Sequence, residues 1–246
     1  DRAWWLPRSL RAMPDVDIEG AVVEKQRQAW MWQRSLPAST ALAIESDELQ
    51  LHVSAQSGDV VEFISSTPQE IAPILAALSG RGTLPGRWSV MGQPLPFEAA
   101  AVRSQTRLVI WGAPIAAGEL RRYLRTQLSL NGARLRGSQL ENVVEQSKQI
   151  AESAGIPVAE IALTTDVSSL TADQLWAVDM AIALSGKHSV IVADTHHVQT
   201  PDHCVNFLSG LAREDAILAL GLEQEVSVPG RNVIPTHVST ASGVAV

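Results

Sequence analysis

The densest group of ionisable side chains is Asp194-Thr195-His196-His197, followed shortly by Asp202-His203-Cys204. Imidazoles beside carboxylates can hold a divalent cation and activate its water, so Asp194, His196 and His203 form one candidate metal set. A chain using them would be a metal-dependent hydrolase. The spacing matches no specific metal signature, and adjacent histidines on an extended chain point away from each other. The same residues therefore also read as a polar loop. They follow the apolar run Val190 to Ala193, and ligands of α/β sheets gather beyond the carboxyl ends of strands.

Other chemistry is absent from the sequence. There is no G-x-x-x-x-G-K-[S/T] phosphate loop, no G-x-G-x-x-G after a strand, no G-x-S-x-G elbow and no cysteine pair for zinc. Gly80-Arg81-Gly82 lacks a third glycine and a preceding strand and reads as a turn. The single cysteine, Cys204, excludes an intrachain disulfide and fits a reducing compartment, hence an expected cytoplasmic location. A net charge of −7 argues against a general nucleic-acid binder. The basic group Arg121, Arg122, Arg125, Arg134 and Arg136 reads either as a meeting point for an acidic partner or as a solvated helix face. No apolar run approaches the ~20 residues of a membrane span. The first residues show no signal-peptide pattern and no initiator methionine, as in a processed, trimmed or partial chain.

These residues need elements to carry them. The first forty residues hold Trp4, Trp5, Trp30 and Trp32, and Asp15 or Asp17 could cap a helix running to about Ser35, with Pro37 as its stop. The tryptophans read equally as a docking surface or as core. Leu49, Leu51 and Val53 alternate with polar residues, and Gln56-Ser57-Gly58-Asp59 turns the chain into Val60 to Ile64. This pattern predicts a strand and its return strand. Pro68 to Leu78 predicts a helix, and Gly80 to Pro96 an irregular connector. Arg107 to Trp111 predicts a strand, Gly118 to Leu130 and Ser138 to Ala154 helices, and Val158 to Thr164 a strand. Thr171 caps a helix to Leu184, Ser189 to Ala193 is a strand, and Asp202 to Leu220 is helical with a possible break at Gly210. Short strands follow at 226–228 and 232–234. Alternating strand and helix argue for a layered α/β fold.

The segment Ser138 to Ile182, SQLENVVEQSKQIAESAGIPVAEIALTTDVSSLTADQLWAVDMAI, resembles the C-terminal half of β-ketoacyl-acyl-carrier-protein synthases, of the thiolase-like superfamily. The resemblance lies in Ala154-Gly155-Ile156, Pro157, Ile161 as the start of a buried strand, and the small residues Ala177 and Ala181. It extends through Val190 to Ala193, Asp202-His203, Leu218-Ala219-Leu220 and Val233-Ile-Pro-Thr236, about residues 138–236. It implies a layered thiolase-like core (α-β-α-β-α), incomplete or rebuilt in the N-terminal half. Residues 1–37 would be a Trp-rich helical segment, 38–137 an α/β N-terminal half, and 138–246 a ketosynthase-like C-terminal half.

The departures from that family define the expected function. Its first catalytic histidine falls on Val167, which cannot move a proton. Cys204 does not sit at a nucleophile elbow, and no lysine precedes His203. Only His203 survives at a catalytic position, as a partly buried remnant. The resemblance thus implies a non-catalytic subunit of the chain-length-factor type in fatty-acid, polyketide or polyene biosynthesis. It would need no cofactor and would pair with an active ketosynthase, with an acyl carrier protein as a further partner. The alternatives are the metal-dependent hydrolase above and an actin-like assembly protein of a secretion or pilus system.

Overall fold

A computed structural model describes residues 18–112, 117–130, 138–159 and 161–238. The chain divides into two compact units, Asp1–Ala38 and Ser39–Val246. The first contributes helix α1 (Ile18–Ser35). On its surface Arg27 donates to Glu24 at 2.9 Å, and Val23 and Met31 are exposed. Trp30 and Trp32 are half-buried; Trp4, Trp5, Asp15 and Asp17 lie outside the described residues.

In the second unit the elements follow as β1 (Thr40–Ser46), β2 (Leu51–Gln56), β3 (Val60–Ile64), α2 (Pro68–Leu78), β4 (Arg87–Val90), β5 (Gln93–Leu95), α3 (Ala99–Gln105) and β6 (Thr106–Val109). Then come α4 (Leu120–Leu130), α5 (Ser138–Ser153), α6 (Ala172–Ser185), β7 (Val190–Asp194), α7 (Pro201–Leu211), β8 (Ile217–Leu222) and β9 (Val233–His237). Two sheets result. One is antiparallel in the order β2-β1-β4-β5; the other is parallel in the order β6-β7-β8-β3-β9.

The parallel sheet is buried on both faces, and period-two alternation divides its side chains between two cores. Val61, Phe63, Val190, Val192, Ile217 and Ala219 face α2 and the antiparallel sheet. Val60, Ile191, Ala193, Leu218, Leu220 and Leu222 face the helices α4 to α7. Helix α6 is buried from Gln174 to Leu184. Its start is fixed by a capping box: Thr171 Oγ1 accepts from Gln174 N–H, and the Gln174 amide oxygen accepts from Thr171 N–H.

This architecture corrects several expectations. The thiolase-like five-layer core does not form. Val60 to Ile64 is not the return strand of β2; it leaves that hairpin and becomes an inner strand of the parallel sheet, between β8 and β9. Residues 158–164, expected to hold the buried strand that carried the ketosynthase resemblance, form no strand among the described residues. Instead Leu163 and the neighbouring Thr165 cap α4 with their carbonyls: Leu120 N–H donates to Thr165 O and Arg121 N–H to Leu163 O. The expected helix to Leu220 ends at Leu211, and Ile217–Leu222 is a fully buried strand. An unbroken apolar run has no periodicity to separate a buried strand from a buried helix. Finally, Gly80 to Pro96 holds the inner strand β4 and the edge strand β5 of the antiparallel sheet.

Candidate functional site

Because β3, β7 and β8 run parallel, their carboxyl ends open on one edge of the sheet. Strand β3 ends at Ile64 and reaches α2 through only Ser65, Ser66 and Thr67, with Pro68 in the first turn. The turn is held by its own side chains. Ser65 Oγ donates to Glu70 Oε2 at 2.5 Å and accepts from Thr67 N–H at 3.1 Å. Strand β7 ends at Asp194, opposite Gly221 of β8, and Thr195 Oγ1 donates to Gly221 O at 2.6 Å.

His196 joins these ends. Its Nδ1 lies 2.9 Å from Asp194 Oδ1 and its Nε2 lies 3.0 Å from Ser65 O. A carboxylate and a carbonyl only accept, so both contacts are hydrogen bonds only when both ring nitrogens carry protons. Burial opposes the charge, but the bonds to Asp194 and Ser65 outweigh it and raise the His196 pKa. Burial likewise raises the Asp194 carboxyl, and the two hydrogen bonds from His196 outweigh that and hold it low. The pair is a histidine–carboxylate latch tying β7 to the β3–α2 turn.

Around the latch lies a cleft of about 420 Å³ lined by Ser66, Thr195, His196, Gln199, Glu223 and Gln224. It adjoins a second of about 690 Å³ that reaches Glu70, Glu225 and His237. Carboxylates dominate this edge. Below it Glu62 is fully buried on β3, its Oε2 accepting from Val226 N–H at 3.2 Å while Oε1 has no partner among the described residues.

The other residues singled out in the sequence lie apart from the latch. His203 is exposed on the first turn of α7, not the half-buried remnant expected. Cys204 is buried and its thiol is pushed up to about 12 by that burial, which leaves it unreactive. Val167 is buried in a single 3-10 turn capped by Asp166. His197 is stacked on Trp111, with ring centroids 5.6 Å apart, and meets Trp176 edge-on at 4.8 Å. Burial lowers its pKa to about 4, so it is neutral. Asp194 and His196 come together but occupy each other, His203 is not with them, and no group of three metal-ligating side chains exists among the described residues. The β3–α2 turn escaped sequence reasoning because β3 was taken for a hairpin strand. The usable signal was Ser65-Ser66-Thr67-Pro68 directly before a helix, a strand-to-helix junction.

No protein-family model matches the sequence, and no curated protein matches it. Solved structures do. An ABC-transporter ATP-binding protein from Pyrococcus furiosus superposes with a TM-score of 0.57 at 16% identity, covering 81% of this chain and 95% of that one. The cbiO1 subunit from Clostridium perfringens, part of the cbiONQ ABC transporter complex, gives 0.52 at 13% identity over 76% and 79% of the two chains. A metal-chelate-type ABC transporter in an inward-facing conformation gives 0.51 at 16% identity over 76% and 74%. This likeness overturns the ketosynthase-like assignment. With it go the chain-length-factor role, the ketosynthase and carrier-protein partners, and the hydrolase and actin-like alternatives.

The fold implies a nucleotide triphosphate with magnesium, and the residues present do not fit one. Phosphate loops cradle the phosphates with backbone N–H groups of a glycine-rich turn and reach them with a lysine. The β3–α2 turn has three residues, no glycine and no lysine, and Pro68 lacks an N–H. The lysines of the chain are Lys25, Lys148 and Lys187, none of them in this turn. Ser65 directs a carbonyl at His196, and Glu70 and Glu223 add negative charge beside it. The chain has the fold of ABC-transporter ATP-binding domains, and its cleft at the carboxyl ends of β3, β7 and β8 is built of acceptors and carboxylates.

Proposed function

We propose that this chain is an ABC-type module that does not hydrolyse nucleotide and serves an ABC-type assembly as a docking or structural subunit. The observation that carries the reading is the His196 latch, which ties Asp194 to the Ser65 carbonyl across a turn without glycine or lysine. An anionic triphosphate would meet carboxylates and a carbonyl there, and His196, which lines the cleft, is already bonded to Asp194. Its fold neighbours supply the kind of assembly: one is part of an ABC transporter complex and another is a transporter. The partner proposed by that likeness is a transporter's membrane subunit. Among the described residues no helix is long and apolar enough to cross a membrane, so anchoring by these residues would come from such a partner.

The test is Mg²⁺-dependent ATP turnover and binding of a fluorescent ATP analogue by the purified chain. Neither is expected above background at millimolar nucleotide. Magnesium-dependent turnover that disappears in Asp194→Asn would overturn the proposal.

A further inference from the structure

The opposite edge of the parallel sheet, at the amino ends of β6 and β7, carries charge of the other sign. Three chain segments meet there. Ser189 N–H donates to Gln105 O at 3.0 Å, and Thr106 pairs with Val190. The Thr106 hydroxyl contacts Ser79 O, and Arg103 Nη1 donates to Gly80 O at 2.7 Å. Gly80 has φ +69°, and a Cβ there would lie 2.7 Å from Ala99 O, so the end of α2 is seated directly on α3.

This junction gathers Arg81, Arg103, Arg107 and His188, with the exposed Lys187 beside them. Arg81 and Arg103 each use one Nη1 on a carbonyl at the end of α2, which fixes their stems without neutralising their charge. Arg107 donates through Nη2 to Gln127 Oε1 at 3.1 Å. It also faces the buried Asp179, whose carboxyl accepts from the Tyr123 hydroxyl at 2.7 Å. Arg81 and Arg103 make no ion pair among the described residues. The Nε2 of His188 is buried without a partner among them. The cluster repels itself. Partial burial, then Arg107 and Arg103, lower the Arg81 pKa; burial, then Arg107 and Arg81, lower that of His188. Asp179 answers Arg107 from within; Arg81 and Arg103, held beside it in a chain of net charge −7, favour a counter-charge from outside.

We propose that this edge is a binding site for a small free oxyanion of the phosphate class, received by Arg81, Arg103, Arg107 and His188. Guanidinium forks supplied from separate segments suit a tetrahedral anion, whose oxygens each accept a charge-assisted bond. The site is independent of the latch and of the reading drawn from it.

The probe is inorganic phosphate, titrated into the full chain at constant ionic strength set with sodium chloride. Thermal unfolding and calorimetry are followed at neutral pH, with the His188 ring resonances by NMR. Phosphate should raise the melting temperature saturably, where matched chloride does not, and should move the His188 pKa upward as the repulsion is relieved. Arg81→Gln should weaken phosphate binding about tenfold, as loss of one charge-assisted contact does. Arg125→Gln, on the exposed face of α4, should leave it unchanged. Arg81→Lys keeps the charge and serves if Arg81→Gln folds poorly; retained but weaker binding is expected of it. Equal responses to phosphate and chloride, or equal losses in Arg81→Gln and Arg125→Gln, would overturn the site. Anionic phosphatidylglycerol vesicles form the second arm: binding to them without any response to free phosphate would overturn it as well.

Discussion

Glu62→Gln should change how stability depends on pH, and the size of the change follows from the position of the carboxyl. Glu62 lies on an inner strand of the parallel sheet, paired with Leu220 on one side and Pro235 on the other. It is 0% exposed. One oxygen accepts a single backbone N–H and the other has no partner among the described residues. Burial first, then the negative charges of Glu225 and Asp202, raise its pKa from 4.5 to about 7 against the opposing bond from Val226. Below 4.5 the carboxyl is protonated in both folded and unfolded chains and contributes no pH dependence. Between 4.5 and about 7 the unfolded chain releases a proton that the folded chain keeps, so stability falls as pH rises. At about 1.4 kcal/mol for each pH unit the loss reaches about 3 kcal/mol, and it is constant above 7. Glutamine has the same shape, accepts from Val226 through its carbonyl, and does not titrate. Urea unfolding of both proteins between pH 5 and 8 isolates the effect. The difference in unfolding free energy should move in favour of the variant by most of that 3 kcal/mol across the range. A constant difference from pH 5 to pH 8 would show that Glu62 does not titrate there, and the reasoning from burial would fail.

Two further outcomes are expected. Cys204 should resist thiol reagents in the folded chain and react promptly in denaturant, because its buried thiol is held far above neutral pH; rapid native-state labelling would contradict the packing of α7 on α5 in their shared core. Thr171→Ala should lower stability by about 1 kcal/mol in thermal or urea unfolding, since it removes the hydroxyl half of the α6 capping box; an unchanged midpoint would mean that the cap contributes nothing.

Much of the element order was legible because local rules decide it. Thr171 with Asp173 in the turn after it marks a helix start, and Pro68 suits the first turn of a helix. The apolar run at 190–193 is a strand as expected. What failed were decisions taken by tertiary context. Residues 217–222 are buried on both faces, so no alternation marks them as a strand. Gln56 to Asp59 looks like a hairpin turn, and Asp59 does bond back to Gln56 N–H at 2.7 Å. Yet the strand after it takes β8 and β9 as its neighbours, a choice that depends on residues more than 150 positions away. That misplacement hid the site. As one arm of a hairpin, Ser65-Ser66-Thr67 is a loop with no special position. As the exit of an inner parallel strand, it stands where α/β sheets bind ligands.

The same topology explains why the histidine cluster drew a metal reading in sequence and gives a latch in space. Asp194 ends its strand with its carboxylate at the sheet's edge, where an isolated charge half out of water needs a partner. A ligand cation could supply one, but the chain supplies its own two residues later in His196, whose backbone and ring both bond the same oxygen. The second ring nitrogen then needs an acceptor, and the Ser65 carbonyl at the end of β3 provides it. A glycine-rich turn would present N–H groups here and repel a second proton on the imidazole. A turn presenting a carbonyl stabilises it. An acceptor-rich turn and a doubly protonated imidazole therefore favour each other, and the turn they form lacks the glycine-rich set of N–H groups with which a phosphate loop holds its anion.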